Sequence, residues 1–263
     1  MRPLPLNNLV PMLVSGLVLQ ACASGRFSFA AAAWLSLVSL AVLARAASWP
    51  LFLGSSFAVV VVGRIIAWHG VLTETLSGAA APTPVDGGAV VVAAVVCASL
   101  VVLCLCAHRI AMRELPTLGP LALPAAVVVV EWTSQYFNLP GAQLFALSTT
   151  QSGDVPLWRF VDVLTPLGVS FAVASAQSVL AGFGEAWLAP DPWPQKVRER
   201  GQRIAANLCF WFVFLGAHLG GFARPADPVA GAHVDVVFGM CASVLGLLLG
   251  LSLLSQLRRT STP

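Results

Sequence analysis

Residues 88–110 read GAVVVAAVVCASLVVLCLCAHRI and contain no charged side chain before Arg109. An apolar run of about 20 residues is long enough to cross the hydrocarbon core of a bilayer as one α-helix. Lipid offers the backbone no hydrogen-bond partner, so such a run must satisfy its peptide groups internally, as a helix does. This stretch therefore predicts a transmembrane helix.

The same pattern recurs along the chain. Further apolar runs lie at about 8–24, 27–44, 51–69, 119–137, 160–183, 203–222 and 234–255, separated by breaks rich in proline, glycine or charge. The chain of 263 residues is 58% hydrophobic and only 10% charged, whereas soluble domains carry about 25% charged residues. The sequence excludes a soluble enzyme and predicts an all-α polytopic membrane bundle of about eight helices, forming a single integral membrane domain over residues 1–263.

The basic residues predict the orientation of this bundle. Eight spans place both termini on one side of the membrane. If that side is the cytoplasm, only Arg26, Arg159 and Arg224 of the loop arginines fall outside. This asymmetry follows the positive-inside rule and predicts cytoplasmic termini. The formal net charge of only +3 is too small to attract the phosphate backbone of a nucleic acid, so we expect no nucleic-acid partner.

Ionisable residues within a span are costly and indicate a function or a partner. Arg64 and Glu131 lie inside predicted spans, and Asp162 lies at the start of another. Asp162 can instead pair with Arg159 one helical turn away, and Arg64 can extend to the interface beside Trp68. The carboxylate of Glu131 is too short to reach the interface in this way. One hypothesis is therefore that Glu131 pairs with Arg64 near the outer face.

The cysteines do not predict a metal or a cofactor. All six lie in apolar runs, where a thiol behaves as a small hydrophobe. Cys104 and Cys106 followed by His108 form a weak metal-binding spacing with no second ligand pair elsewhere.

The first span allows a second interpretation. Residues 19–22 read LQAC after an apolar run, which is similar to a bacterial lipoprotein signal ending at a lipidated Cys22. The single charge before the run and Gln20 within the motif depart from that pattern, so an ordinary first span is favoured.

The most distinctive region begins at Glu131 and Trp132, which end one predicted span. A polar loop that ends in Gln151 follows, and a helix then opens at Asp162. That helix contains Gly168, Val169, Ser170 and Phe171.

This order resembles the membrane part of the bacterial apolipoprotein N-acyltransferases. On the resemblance, Glu131 and Trp132 match the family's E-W pair, Gln151 its loop glutamine, and residues 168–171 its helix motif. Thr133 follows where the family usually places a basic residue soon after the pair. The predicted lipid- or substrate-binding residues are Glu131, Trp132, Gln151, Arg64, Trp68 and Asp162.

The resemblance implies a multi-pass protein of the bacterial inner membrane, in a family that transfers an acyl chain from phospholipid to a lipoprotein N-terminus. In that family a nitrilase-like domain between the last two spans supplies a Glu-Lys-Cys triad. The corresponding interval here, about residues 223–233, contains no Lys, Cys or Glu. We therefore expect that domain to be absent and carry over no catalytic residue. The chain would then act as a lipid- or lipoprotein-binding scaffold, or beside a separate nitrilase-like subunit.

Two other classes of function remain as alternatives. Intramembrane Arg64, Glu131 and Asp162 could line the pathway of a small secondary transporter or permease. No convincing repeat relates residues 1–130 to 131–263, which disfavours that alternative. An intramembrane enzyme using Cys104, Cys106 or His108 is disfavoured because no adjacent acid orients the imidazole.

Overall fold

The computed structural model describes residues 6–24, 30–69, 87–115, 118–139, 147 and 161–188. Its elements are α1 Leu6–Cys22, α2 Ala30–Leu35, α3 Val38–Ala46, α4 Trp49–Trp68, α5 Gly87–Glu114, a 3-10 turn Gly119–Leu121, α6 Ala122–Tyr136 and α7 Val161–Leu188. The all-α prediction is confirmed for this part of the chain. Predicted spans seven and eight lie outside the described residues.

Three helices are long and apolar enough to cross a membrane: Trp49–Trp68, Gly87–Glu114 and Pro166–Gly184 within α7. Asn8–Cys22 and Ala31–Ala46 are shorter apolar helices. At 1.5 Å per residue, the 28 residues of α5 extend about 42 Å, which exceeds the roughly 30 Å hydrocarbon core. The total of eight spans and the cytoplasmic termini remain predictions.

The second predicted span is interrupted. α2 ends at Leu35 and α3 begins at Val38, with a turn at Ser36 and Leu37 between them. The Ser36 hydroxyl donates to the Ala33 carbonyl at 3.1 Å. A serine side chain that bonds its own backbone in this way competes with the helical ladder, which fits the position of the break.

Helix ends follow local chemistry. Pro50 occupies the first turn of α4, where a missing backbone N–H costs no helical hydrogen bond. α6 ends at Tyr136, and Asn138, two residues later, has a left-handed φ of 49°. The Asn138 N–H donates to the Gln135 carbonyl at 3.0 Å and the Leu139 N–H to the Ser134 carbonyl at 2.9 Å. This pair of bonds is a Schellman cap.

The helices pack as a ring. Going around it, α1 contacts α4, α4 contacts α5, α5 contacts α6, α6 contacts α7, and α7 returns through α2 and α3 to α1. α1 and α4 run parallel, because Gly16 faces Val59 and Gly63 faces Gln20. A Cβ on Gly63 would lie 2.7 Å from the Cβ of Gln20, so only glycine permits this approach.

Candidate functional site

A buried arginine joins α1 to α4 near the C-terminal ends of both helices. Arg64 is 2% exposed and donates to the Ser24 hydroxyl. The Trp68 indole N–H donates to the same oxygen at 3.2 Å, and the Arg64 guanidinium lies 5.5 Å from the Trp68 ring centroid. The thiol of Cys97 on α5 lies within hydrogen-bonding range of Arg64. We call these four residues the Arg64 cluster.

The Arg64 cluster does not snorkel. Both Arg64 and Trp68 are enclosed by the bundle, although the sequence allowed them to reach the interface. Their partners are a hydroxyl, a thiol and an indole ring, all neutral groups that bind a guanidinium by hydrogen bonding or by cation–π attraction. The cluster therefore fixes the end of α1 against α4.

Glu131 is fully buried on α6, and the Ser134 hydroxyl donates to its backbone carbonyl at 2.9 Å. Its carboxylate lies within electrostatic range of Cys104 on α5. Arg64 lies on α4 and Glu131 on α6, and both of these helices pack against α5.

The Glu131–Arg64 pair stays a prediction. α5 packs against both α4 and α6 and stands between them. The sequence placed both residues near the same end of the bundle, but it contained no information about which helix would separate them.

Trp132 points away from Glu131. The Trp132 ring is half-buried and stacks on Tyr136 with centroids 5.0 Å apart and an interplanar angle of 11°. Phe137 meets Tyr136 edge-on at 5.2 Å. Tyr136 and Phe137 are 66% and 65% exposed. We call these three side chains the aromatic ledge; it lies at the C-terminal end of α6, on the face opposite the buried carboxylate.

The remaining predicted residues lie on or beyond α7. Asp162 is in the first turn of that helix, but its side chain lies outside the described part, and so does Gln151. The helix motif is internal: Val169 is almost fully buried, and Ser170 and Phe171 are fully buried. α7 packs against α6, so this motif supports the helix that carries Glu131 and Trp132.

Sequence reasoning missed a second buried basic group, at the opposite end of α4 and α5. Arg109 donates to the Ala44 carbonyl, and its guanidinium lies 4.4 Å from the Trp49 ring centroid and 5.4 Å from that of Phe52. The aromatic residues at positions 49 and 52, one turn apart at the start of a span, were the available signal. This contact ties the end of α5 to the junction of α3 and α4.

His108 is fully buried beside Arg109. Two nitrogens of Arg45 donate to its Nε2, at 3.1 Å from Nε and 2.9 Å from Nη2. Because arginine only donates, the imidazole accepts at Nε2 and carries its proton on Nδ1. His108 is thus a hydrogen-bonded packing residue. Within the described ranges no group of three or more His, Cys, Asp or Glu side chains could hold a metal ion.

Comparison with known proteins gives one match. The family model described as the apolipoprotein N-acyltransferase N-terminal domain covers residues 15–179. That range runs from α1 into α7 and includes Arg64, Glu131, Trp132 and residues 168–171. No curated protein and no solved structure matches the chain. The family model covers more than half of the 263 residues, and the chain belongs to the family of the apolipoprotein N-acyltransferase N-terminal domain.

Proposed function

We propose that this chain is a scaffold of the bacterial inner membrane that binds phospholipid or lipoprotein and does not transfer the acyl group by itself. The observation that carries the proposal is the match to the N-terminal domain of the acyltransferase family over residues 15–179. The interval at residues 223–233, with no Lys, Cys or Glu, supports the non-catalytic part of the proposal. A separate nitrilase-like subunit would then supply the nucleophile.

The aromatic ledge is the lipid-contacting surface in this proposal. Tyr136 and Phe137 are among the most exposed large side chains of the described residues, and Trp132 backs them. Indole and phenol rings have an apolar body and a polar tip, which suits the boundary between acyl chains and headgroups. Stacking on Trp132 holds Tyr136 in one orientation, so the surface is formed before a lipid arrives.

The buried predicted residues act indirectly. Arg64 and Trp68 have almost no surface for a ligand, and their role is to fix α1 against α4. Glu131 is enclosed on the opposite side of α6 from the ledge. We assign it to positioning α6 against α5, because its carboxylate lies near Cys104.

Photo-crosslinking tests the ledge. The chain is reconstituted in vesicles that contain a phospholipid with a photoactivatable acyl chain, and in a second preparation with a diacylglyceryl lipopeptide. Tyr136→Ala should reduce the crosslinking of both probes to the aromatic ledge of α6 several-fold. Val10→Ala is the matched control, because Val10 is an exposed apolar residue on α1 and has no aromatic neighbour in the ledge. Equal losses in the two variants would remove the ledge from the proposal.

Complementation tests the non-catalytic part. We expect the chain alone not to restore N-acylation in a strain depleted of its N-acyltransferase, as read from the mass of a lipoprotein N-terminal peptide. Restoration by the chain alone would overturn the proposal. Co-purification of a nitrilase-like protein after mild detergent extraction, with restored acylation when both are supplied, would identify the separate subunit.

A small secondary transporter is the second candidate, and one observation favours it. The break between α2 and α3 interrupts a span, and transporters use interrupted helices at their binding sites. Solute uptake into vesicles that hold the purified chain separates the two candidates. Uptake that depends on the chain and saturates with solute would support a transporter, whereas lipid crosslinking without uptake supports the scaffold.

A further inference from the structure

We infer that the break between α2 and α3 is a binding site for water, which donates hydrogen bonds to the side-chain amide oxygens of Gln20 and Gln177. Three helices meet there: α1 contributes Gln20, α7 contributes Gln177, and the break itself contributes Ser36. All three side chains are fully buried. We call them the glutamine hub.

The break creates a demand for hydrogen-bond donors. Where α2 stops and α3 has not begun, backbone carbonyls lose their helical N–H partners. Gln20 Nε2 donates to the Ser36 carbonyl at 2.9 Å. Gln177 Nε2 donates to the Ala33 carbonyl, and also to the Ser36 hydroxyl at 3.2 Å. The two glutamines therefore replace donors that an uninterrupted helix would have provided.

These bonds fix which way each amide points. A carbonyl oxygen only accepts, so the nitrogen of each glutamine must face the backbone, and neither amide can be turned over without placing two acceptors together. The oxygen of each amide is then directed away from that backbone. Gln20 Oε1 and Gln177 Oε1 are both buried, and neither has a hydrogen-bond partner in the described structure.

Two buried acceptors at one helix break indicate a donor ligand. A buried polar atom without a partner is expensive inside a membrane protein, and buried water commonly satisfies such atoms when several polar groups surround it. Ser39, one turn after Ser36 on α3, adds a buried hydroxyl without a partner. A Cβ on Gly16 would lie 2.9 Å from the Ser39 Oγ, so α1 packs closely on α3 beside this hydroxyl.

The charges favour water over a cation. The groups of the hub are amides and a hydroxyl, which are neutral ligands. A charge lies close to this end of α1, because the Arg64 guanidinium of α4 binds Ser24, four residues after Gln20 and just beyond the end of α1. A positive neighbour there repels a second cation, whereas it does not disfavour a neutral water molecule.

Hydroxyl-radical footprinting of the full chain in lipid nanodiscs tests this inference. A short X-ray pulse generates radicals from bound water, and these oxidise the side chains that the water touches. Leu37 follows Ser36 in the break, whereas Leu105 is a fully buried leucine of α5 within the apolar core. We expect Leu37 to be oxidised several-fold more than Leu105, and to carry ¹⁸O when the sample is equilibrated in H₂¹⁸O.

The comparison within the wild-type chain does not depend on any variant folding. If Leu37 is oxidised no more than Leu105, the site is dry and the inference is overturned. As a second measurement, Gln177→Met removes one of the two acceptors and should reduce the oxidation of Leu37 but not that of exposed Val10. A thermal unfolding midpoint that falls when Na⁺ and K⁺ are replaced by choline would show a cation in the hub and overturn the assignment to water.

Discussion

Gly63 makes the closest approach between α1 and α4, and Gly63→Ala tests whether that approach is required. The new Cβ would lie 2.7 Å from the Cβ of Gln20 and 3.4 Å from the Ala21 nitrogen and the Leu17 oxygen. Carbon atoms in contact prefer about 3.5–4.0 Å, so the helices must separate by about 1 Å. Overpacking of this kind costs about 1–3 kcal/mol.

Gly54→Ala is the matched control, because Gly54 lies on the same helix and a Cβ there would meet nothing within 4 Å. Both substitutions restrict the unfolded chain in the same way, so their difference isolates the contact in the folded state. Gly54→Ala should be neutral or should stabilise by up to about 1 kcal/mol through helix propensity. We expect the two variants to differ by the cost of the overpacked contact, about 1–3 kcal/mol.

The assay is reversible unfolding of the full chain by SDS in mixed micelles, followed through the fluorescence of its 8 tryptophans. Equal unfolding free energies for Gly63→Ala and Gly54→Ala would refute the parallel packing of α1 on α4. A loss in Gly63→Ala should also separate Gln20 from the break between α2 and α3, so the oxidation of Leu37 should change in the same variant.

Further substitutions are measured in the same unfolding assay. Arg109→Gln loses a backbone hydrogen bond and two ring contacts and should destabilise by about 2–3 kcal/mol, whereas exposed Arg113→Gln should change stability by less than about 0.5 kcal/mol. Ser24→Ala leaves two buried N–H donors without their shared acceptor and should cost about 1–3 kcal/mol, while Ser15→Ala removes only an exposed bond. Asn138 adopts a left-handed conformation that asparagine tolerates better than alanine, so Asn138→Ala should cost about 1 kcal/mol, and a smaller loss in Asn138→Gly would support the cap. Equal effects within either matched pair, or a larger loss in the glycine variant, would contradict the corresponding contact.

The positions of the helices that correspond to the first six predicted spans follow from the sequence to within a few residues. The apolar run at 88–110 is contained in α5, and the run at 51–69 coincides with α4 almost throughout. Pro50 lies in the first turn of α4, and Pro116 follows two residues after the last residue of α5 in the sequence. The hydrogen bond of the Ser36 side chain explains the break between α2 and α3. Hydropathy predicted one continuous span over 27–44, because a single serine hardly lowers the mean hydropathy of an apolar window.

The partners of the polar residues were not predictable in the same way. Arg64 and Glu131 were recognised as the costly residues of the bundle, yet their neighbours come from other helices, Ser24 and Cys97 for the one and Cys104 for the other. Gln20 attracted notice only as part of a signal motif, and Gln177 attracted none. A neutral amide in an apolar run does not by itself indicate a contact. Its role is visible only once the structure shows a broken helix whose carbonyls it binds.

The sequence by itself determined that this chain is a helical membrane protein, where its helices run and which family its motifs resemble. The bilayer imposes that result, because any apolar run of sufficient length must pair its own peptide groups. The tertiary structure decided which face of each helix is internal, that α5 separates Arg64 from Glu131, and that two glutamines meet at the break between α2 and α3. Those choices depend on close contacts such as that of Gly63 with Gln20, and a contact between helices is set by shape in three dimensions rather than by hydropathy along the chain.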